Sequence, residues 1–486
     1  MLVVVSFALR LYGTDNLGFN NDESIYVAQG ASLANFEEFR EHFSIFRAHP
    51  LLMQFFVSLS LSLLGLSEIS ARLVPVLMGT GIVFLTYFIA RNIYSKPVAI
   101  ISSTILTFLP YHIIISRQVI VDVSFSFFLL LNILLLVIYI KSNSNKKLLL
   151  FLIGSCSGLS FLSKEIGIVV LITSLITIAL TKKHFTKNIT LVLTTFLAVT
   201  SPYWISFLFL ENAQQSIIEY FNWQSSRPAN HENLYYFEVM SKEILGYPLC
   251  ILIIIFYIQL ILQRKLWNSL TTFIPFIWIP VFFIFYQVIP LKNFTFLYSI
   301  VPLFVIIGIS ALFSSPMNKI RFNRILLLIL IPVILISNSF FLNNFVFSIP
   351  YHPTLGSESV NYMKDASLWI EENTPTNSTS LTLYTHMSNI IKFYSHRDSK
   401  SLQSNNNPSY DKIADADFLI ASKKINYLVY EKVQLDNANF LKNEAKKMEE
   451  YIQKFDAIPI HTTYSNYTNS DGKSLSTPAI IIYKIN

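Results

Sequence analysis

Two adjacent carboxylates, Asp22 and Glu23, lie in the stretch LGFNNDESIY near the start of an otherwise apolar chain. Asn20 and Glu23 have the spacing of a capping box, which favours a helix start at this point. A carboxylate placed there can also act as a general base that removes a proton from an attacking hydroxyl. The residues themselves leave both interpretations open.

Further ionisable side chains lie at the ends of apolar runs, where their burial is costly and a function is therefore expected. They are Arg47 and His49 in FRAHPLL, Arg72 in SARL, Arg117 and Asp122 in ISRQVIVD, Lys164 and Glu165 in FLSKEIG, and Lys292 in IPLKNFTFLYSIVP. Taken singly, each also has a structural explanation as an interfacial anchor, an ion pair or a helix start. Their predicted position on one side of a membrane favours a shared site.

The composition indicates what must hold these residues. Of the 486 residues, 53% are hydrophobic and 13% are charged, whereas soluble domains carry roughly 25% charged residues. A chain so poor in charge is predicted to be an α-helical polytopic membrane protein, placed in the cell membrane. Cys156 and Cys250 lie in or beside apolar segments and imply no disulfide framework.

Apolar runs and loop charges predict the topology. About eleven spans are expected, at 1–12, 72–90, 97–115, 119–140, 148–163, 166–181, 188–210, 246–262, 269–289, 294–313 and 323–346. Every second connection is basic, and together these contain thirteen Lys or Arg and no Asp or Glu. This positive-inside pattern explains the net charge of +7 as a topology signal, so no nucleic-acid partner is expected.

Loop 12–49 carries six acidic and two basic residues and is predicted to be external. Segment 50–66 is then interfacial, and 211–245 is a large external loop. Two domains are expected, a membrane domain over 1–348 and a small extracytoplasmic α/β domain over 349–486. In the second domain, alternating stretches predict strands in TSLTLYT, INYLVYEKV, IPIHTTY and PAIIIYKI, with helices near 359–375 and 438–455.

The order of these motifs resembles a known family. RLYG, DESIY, AHPLL, ISARLVPVLMG, LPYHIIISRQVIVD and GLSFLSKEIG follow one another as in glycosyltransferase family 39, the protein O-mannosyltransferases, and in the related aminoarabinose transferases. These are GT-C membrane enzymes that use polyprenyl-phosphate sugar donors. The resemblance spans about residues 1–310, and beyond it only the presence of a C-terminal extracytoplasmic domain is similar.

The resemblance implies roles for particular residues. Asp22 matches the family's catalytic aspartate, with Glu23 beside it. A group of five matches elements that face the donor phosphate: His49, Arg117, Lys164, Lys292 and Tyr298. Supporting roles are expected for Arg47, Asp122 and Glu165. The His-Pro-Pro element departs from the family pattern, since Leu51 replaces the second proline.

The expected reaction is inverting transfer of a sugar from a polyprenyl phosphate, dolichyl or undecaprenyl, to a hydroxyl of a protein, lipid or glycan at the extracytoplasmic face. The leaving phosphate needs cationic side chains, and the acceptor needs one base. Whether a divalent cation takes part is left open, with Glu23 and His231 as candidate ligands. The alternatives are an oligosaccharyltransferase and a transporter or flippase for lipid-linked sugars.

Overall fold

The computed structural model describes most of the chain. The described residues are 1–39, 50–142, 146–180, 185–206, 208–209, 218, 222, 225, 231–232, 234–262, 270–313, 331–336, 338, 361–402, 416–432, 442–468 and 474–485. Two predicted site residues, Arg47 and His49, lie outside the described residues, as do most of loop 211–245 and most of the run 323–346.

The described part of the predicted membrane domain consists mainly of helices. They are α1 (Leu2–Leu11), α2 (Asn21–Leu33), α3 (Leu52–Leu64), α4 (Glu68–Ile93), α5 (Lys96–Phe108), α6 (Pro110–Ile115), α7 (Val121–Lys141), α8 (Lys146–Ser163), α9 (Gly167–Ala179), α10 (Phe185–Ser206), α11 (Tyr235–Val239), α12 (Gly246–Leu262), α13 (Leu270–Val288) and α14 (Val301–Ala311). Glu37–Phe39 and Phe294–Ser299 form 3₁₀ turns, and Met240–Ile244 forms a π-helical turn.

Four of these helices, α4, α7, α8 and α10, are long and apolar enough to cross a membrane, and they identify an integral membrane protein. Several shorter apolar helices accompany them. Helix α3, in the segment predicted to be interfacial, has 13 residues, fewer than the roughly 17–25 that a full span needs. The predicted total of about eleven spans stays a prediction.

Two predicted spans are not continuous helices, and proline explains where each is interrupted. The run 97–115 divides at Leu109 because Pro110, which has no N–H to donate, begins α6 and holds Leu109 extended, at φ −72° and ψ 114°. The run 294–313 likewise begins with a 3₁₀ turn, and α14 follows with Pro302 in its first turn.

Polar side chains connect the helices inside the bundle. Asn132 of α7 donates to Ser157 Oγ of α8 at 2.9 Å and accepts from Ser174 Oγ of α9 at 2.8 Å. All three residues are fully buried. In an apolar environment such hydrogen bonds hold neighbouring helices together, because the alternative is an unsatisfied polar group.

Helices α8 and α10 approach closely through glycine. A Cβ added to Gly154 would lie 2.6 Å from the carbonyl oxygen of Val192, and one added to Gly158 would lie 2.8 Å from Val199 Cγ1. Small residues at these positions allow the two backbones to pack without separation. The contact fixes α8, whose end carries the turn with Lys164.

The described residues between 361 and 485, in the segment predicted as the C-terminal domain, form a five-stranded sheet with helices. Its elements are α15 (Asn361–Asn373), β1 (Thr379–Thr382), α16 (Thr385–Ser395), β2 (Asp398–Ser401), α17 (Ala416–Ala421), β3 (Tyr427–Glu431), α18 (Lys442–Lys454), β4 (Ile458–Thr468) and β5 (Ser474–Lys484). The strand order is β2-β1-β3-β5-β4, with β2, β1 and β3 parallel and β5 antiparallel to both of its neighbours.

The four predicted strands overlap β1, β3, β4 and β5, although β4 continues to Thr468 and β5 begins at Ser474, each four residues beyond the predicted stretch. Strand β2 is missing from the prediction because its sequence, DSKS, has no apolar residue. One face of the sheet, with Val429 and Ile480, shares a core with α15, α16 and α2. The other face, with Leu381 and Leu428, packs against α17 and α18. The C-terminal domain therefore shares its core with the first part of the chain.

Replacement of Gly154 by alanine tests the close contact of α8 and α10. The added methyl group meets backbone, so we expect G154A to lower the free energy of unfolding by about 1–3 kcal/mol. The measurement is SDS-induced unfolding of the purified protein, followed by tryptophan fluorescence. G308A is the matched control, since its Cβ would lie 3.4 Å from the nearest atom, Ile253 Cγ1. Equal midpoints for both variants would contradict the proposed packing constraint.

Glu431, at the end of β3, is expected to make the stability of the C-terminal domain depend on pH. It is 2% exposed, lies 3.6 Å from His386 Nε2 and accepts from the Tyr384 N–H. Burial raises the pKa of Glu431 well above its usual value, and burial lowers the pKa of His386 to about 3. His386 is therefore uncharged at neutral pH, and burial favours the protonated form of Glu431.

A raised folded-state pKa stabilises the domain below the unfolded pKa, and this contribution is lost as pH rises toward the folded pKa. We expect the stability of E431Q relative to wild type to increase between pH 5 and pH 8, by up to about 1.4 kcal/mol per pH unit. Amide exchange of residues 427–431 in the full chain measures it. The control is E449Q, which removes an exposed carboxyl of the same domain. A difference that shrinks with pH would refute the assignment.

Candidate active site

The stretch from Asn20 to Glu23 begins α2 with a capping box. The Asn20 side chain accepts from the Glu23 N–H at 2.9 Å, and the Asn20 N–H donates to Glu23 Oε2 at 3.3 Å. The cap interpretation is confirmed. Asp22 stands between the two capping residues, in the first turn of the helix.

Glu23 is a buried carboxylate with a second set of partners. Arg72 of α4 donates to it through two nitrogens, from Nε to Oε1 at 3.0 Å and from Nη2 to Oε2 at 2.9 Å. The Val119 N–H donates to Oε1 at 2.9 Å. Glu23 is 1% and Arg72 3% exposed. Both Glu23 oxygens thus accept hydrogen bonds, and two of these come from the charged Arg72, which makes them stronger than bonds between neutral groups.

The remaining donors of Arg72 hold the loop that leads into α2. Its Nη1 donates to the carbonyls of Thr14 and Leu17, and its Nη2 donates to that of Gly18 at 3.2 Å. Arginine suits this position because its planar group carries five donors with fixed directions. One side chain therefore fixes both the loop and the start of the helix.

Asp22 differs from Glu23 in its surroundings. It is exposed, whereas Glu23, one residue later, is buried. It stands at the second position of α2, at the positive end of the helix dipole. The arrangement presents a carboxylate to solvent from a backbone that the Glu23–Arg72 pair holds in place.

The segment between α6 and α7 joins this helix start to the rest of the bundle. Arg117 donates from Nη2 to the carbonyls of Tyr12 and Gly13, both at 2.8 Å. Asn20 donates to the side chain of Gln118 at 2.9 Å. The stretch with Arg117 and Asp122 (the SR…D element, residues 116–122) therefore lies against the stretch that begins α2 (residues 20–23).

Lys164 lies in the tight turn between α8 and α9, as predicted. Its Nζ contacts Asp122 Oδ1 at 2.7 Å and lies 4.2 Å from the centre of the Phe296 ring. Asp122 is in the first turn of α7, three residues after Val119, which binds Glu23. The Lys164 side chain is 18% exposed, so the pair is not sealed from solvent. Two residues predicted from separate motifs are brought together here.

The late element, Lys292 to Tyr298, is buried around the 3₁₀ turn. Lys292 is 4% exposed, and the Tyr298 ring stacks on that of His112 at 4.7 Å. Glu165, the residue after Lys164, is half-buried. Phe296, between Lys292 and Tyr298, contacts Lys164, so this element adjoins the Lys164–Asp122 pair.

Arg10 belongs to the same region, although it is not among the site residues predicted from the sequence. It is fully buried in α1 and bonds Ser6 Oγ and His112 Nδ1, each at 2.7 Å. Gly79 makes room chiefly for Ser116, whose Cβ would lie 2.3 Å from an added Cβ, and Arg10 Nε lies next to the same position at 3.4 Å. A charged residue within the RLYG stretch is the signal that could have indicated it.

The metal candidates do not form a site within the described residues. No group of three His, Cys, Asp or Glu side chains there could hold an ion. Glu23 accepts from Arg72 and from two backbone N–H groups, which leaves it poorly suited as a ligand. His231 is exposed and stacks on Tyr235 at 3.9 Å.

The chain has a recognised family region. The sequence model of the family described as dolichyl-phosphate-mannose-protein mannosyltransferase matches residues 48–205. This region includes Arg72, Arg117, Asp122 and Lys164, four residues of the site. No curated protein matches the chain by sequence.

Two solved structures share the fold over nearly the whole chain. ArnT from Cupriavidus metallidurans, bound to undecaprenyl phosphate, is 12% identical, with a TM-score of 0.72 and coverage of 99% of this chain and 97% of ArnT. The oligosaccharyltransferase AglB from Archaeoglobus fulgidus, in complex with an inhibitory peptide and a dolichol-phosphate, is 13% identical, with a TM-score of 0.61 and coverage of 98% and 73%. At these identities the likeness shows a shared fold.

The variant Glu23→Gln tests the pair at the start of α2. It leaves Arg72 buried without its carboxylate, so we expect a loss of about 3–5 kcal/mol in unfolding free energy. The double variant E23Q/R72M removes both charges and should recover part of that loss. Amide exchange of residues 14–24 and SDS-induced unfolding measure the effects. E238Q, which breaks an exposed pair with Lys242, should change neither; an equal change in E238Q would refute the special role of the buried pair.

Proposed function

From the confirmed resemblance to the PMT-type GT-C membrane glycosyltransferases, we propose that this chain transfers a sugar from a polyprenyl phosphate to a hydroxyl acceptor. One observation carries the proposal. An exposed carboxylate, Asp22, starts a helix that buried hydrogen bonds connect to the SR…D element and, through Asp122, to Lys164.

The donor explains why cations are needed. A polyprenyl-phosphate sugar already has an activated anomeric carbon, and its leaving group is a phosphate. As the bond from that carbon to the phosphate oxygen breaks, negative charge grows on the phosphate, and Arg117, Lys164 and Lys292 are proposed to stabilise it. ArnT, which shares the fold, was solved with undecaprenyl phosphate bound. The lipid tail of such a donor stays among the apolar helices.

Asp22 is proposed as the general base. The acceptor oxygen attacks the anomeric carbon from the face opposite the phosphate, and its proton passes to the Asp22 carboxylate. The carbon–oxygen bond to the acceptor forms while the bond to phosphate breaks, so the configuration inverts and polyprenyl phosphate leaves. The reaction needs one carboxylate, unlike glycoside hydrolysis, which needs two.

Glu23 is proposed to position Asp22 rather than to take the proton itself. Both of its oxygens already accept hydrogen bonds, three of them from Arg72 and Val119. Asp122 similarly orients Lys164, whose ammonium group it contacts at 2.7 Å. A cation held by one carboxylate keeps further N–H donors for a phosphate oxygen.

The proposed orientation places this chemistry at the extracytoplasmic face, because loop 12–49 is acidic while alternate loops are basic. An oligosaccharyltransferase is the nearest alternative, since AglB shares the fold. Segment 350–486 contains one tryptophan, Trp369, and so lacks the W-W-D type of motif expected of that class. A transporter would instead place its ionisable groups at the membrane midplane between inverted repeats.

The variant Asp22→Asn tests the general base. With reconstituted protein, polyprenyl-phosphate mannose carrying labelled mannose, and membrane extract as acceptor, we expect release of lipid phosphate to fall by about 10²–10⁴-fold. Asp15→Asn is the matched control, because Asp15 is another exposed aspartate of the same loop. Unchanged turnover in D22N would exclude Asp22 as the base, and equal losses in both variants would indicate a general effect on the loop.

A further inference from the structure

The C-terminal domain forms hydrogen bonds with the loop that leads into α2. Asn361, at the start of α15, accepts from the Gly18 N–H at 3.0 Å and donates to the Asn16 carbonyl at 3.3 Å. Lys364, one turn later, donates to the Asp15 carbonyl at 2.8 Å. The same loop is held from the membrane side by Arg72. It is therefore fixed between two parts of the chain that are almost 300 residues apart.

An aromatic anchor fills the space between them. Phe19, the residue before the Asn20 cap, is 1% exposed and meets Phe393 edge to face at 4.8 Å. Its ring also lies 5.7 Å from that of Tyr394, while the Arg72 guanidinium lies 4.9 Å from its centre. Burial of such a ring ties the position of the cap to helix α16.

A line of alternating charges runs through this contact. Arg72 binds Glu23 and also lies 3.8 Å from Glu68, one turn earlier in α4. Lys364 contacts the other oxygen of Glu68 at 2.7 Å, and the Tyr394 hydroxyl donates to Glu68. Two carboxylates and two cations balance, and one of those cations comes from the C-terminal domain.

The charge balance determines what loss of that cation would do. Without Lys364, Arg72 would be shared between Glu23 and Glu68, and one buried negative charge would lack compensation. Burial, followed by the charge of Glu68, raises the pKa of Tyr394 well above its usual value, so its hydroxyl stays protonated and can donate. It cannot replace the missing positive charge.

We propose that Lys364 and Tyr394 of the C-terminal domain are positioning residues for the transfer reaction: through Glu68 and Arg72 they hold the start of α2, and with it Asp22, in its reactive position. The C-terminal domain then completes the active site. This inference rests on the proposed function, because it assigns Asp22 the role of base. A displacement of about 1 Å at a reacting group can cost 10²-fold in rate.

The variants are chosen to separate charge from packing. K364M keeps most of the side-chain length but removes the charge, and Y394F keeps the ring against Phe19 but removes the hydroxyl. The double variant E68Q/K364M restores the charge balance, leaving Glu23 opposite Arg72. The controls remove contacts of the same chemical kind at exposed positions of the same domain: K454M loses the pair with Asp417 at 2.6 Å, and Y430F loses the bond to Glu449 at 2.6 Å.

The first measurement does not depend on activity. Hydrogen exchange of residues 14–24 in the full-length reconstituted protein should accelerate by about tenfold or more in K364M and less in Y394F, because an unbalanced buried charge weakens the contact. E68Q/K364M should return most of the protection. Exchange like that of wild type in K364M, or equal acceleration in K454M, would overturn the proposal.

The second measurement is donor turnover, with labelled polyprenyl-phosphate mannose as the probe. In K364M we expect kcat to fall about tenfold or more, with the donor KM changed less than about threefold, and we expect recovery in E68Q/K364M. A raised KM with unchanged kcat would refute the positioning role. If the wild type shows no transfer while exchange responds as expected, the proposed function is wrong, but the result still supports the contact by which Lys364 and Tyr394 hold the loop in place.

Discussion

The buried pair of Glu23 and Arg72 is the interaction on which the site depends. A carboxylate and a guanidinium removed from water stabilise each other only when their geometry is good and their remaining donors and acceptors are satisfied. Here the two are joined by two hydrogen bonds, and Glu23 also accepts from Val119. Three carbonyls of the preceding loop take the remaining donors of Arg72. The pair thus specifies one position for the loop, the helix start and the segment before α7.

That arrangement separates two neighbouring carboxylates into different tasks. Glu23 faces inward and is occupied, while Asp22 faces solvent from the same helical turn. The contrast comes from helix geometry, because successive side chains are about 100° apart around the axis. The proposed transfer of a sugar from a polyprenyl phosphate needs one base and several cations. Under that proposal, Asp22 is a base on a fixed backbone. Arg117 and Lys164 are likewise held by groups at the same end of the bundle.

The C-terminal domain extends the same network. Its sheet shares an apolar core with α2, so the domain packs on the site instead of standing apart on a linker. Lys364 and Tyr394 reach Glu68, which contacts Arg72. The likeness to ArnT also covers 99% of the chain, beyond the family region at residues 48–205. The membrane part and the C-terminal domain are therefore best regarded as one unit around the α1–α2 loop.

The sequence by itself determined what depends on local pattern. Apolar runs predicted the four long membrane helices, the Asn20–Glu23 spacing predicted the capping box, and alternation predicted four of the five strands. The tertiary structure decided which charges pair. Asp122 meets Lys164 from 42 residues away, Glu23 meets Arg72 from 49, and Glu68 meets Lys364 from 296. The burial of Arg10, which was not among the predicted site residues, is likewise a result of the tertiary structure. Such pairings follow from how helices pack, and no local spacing encodes them.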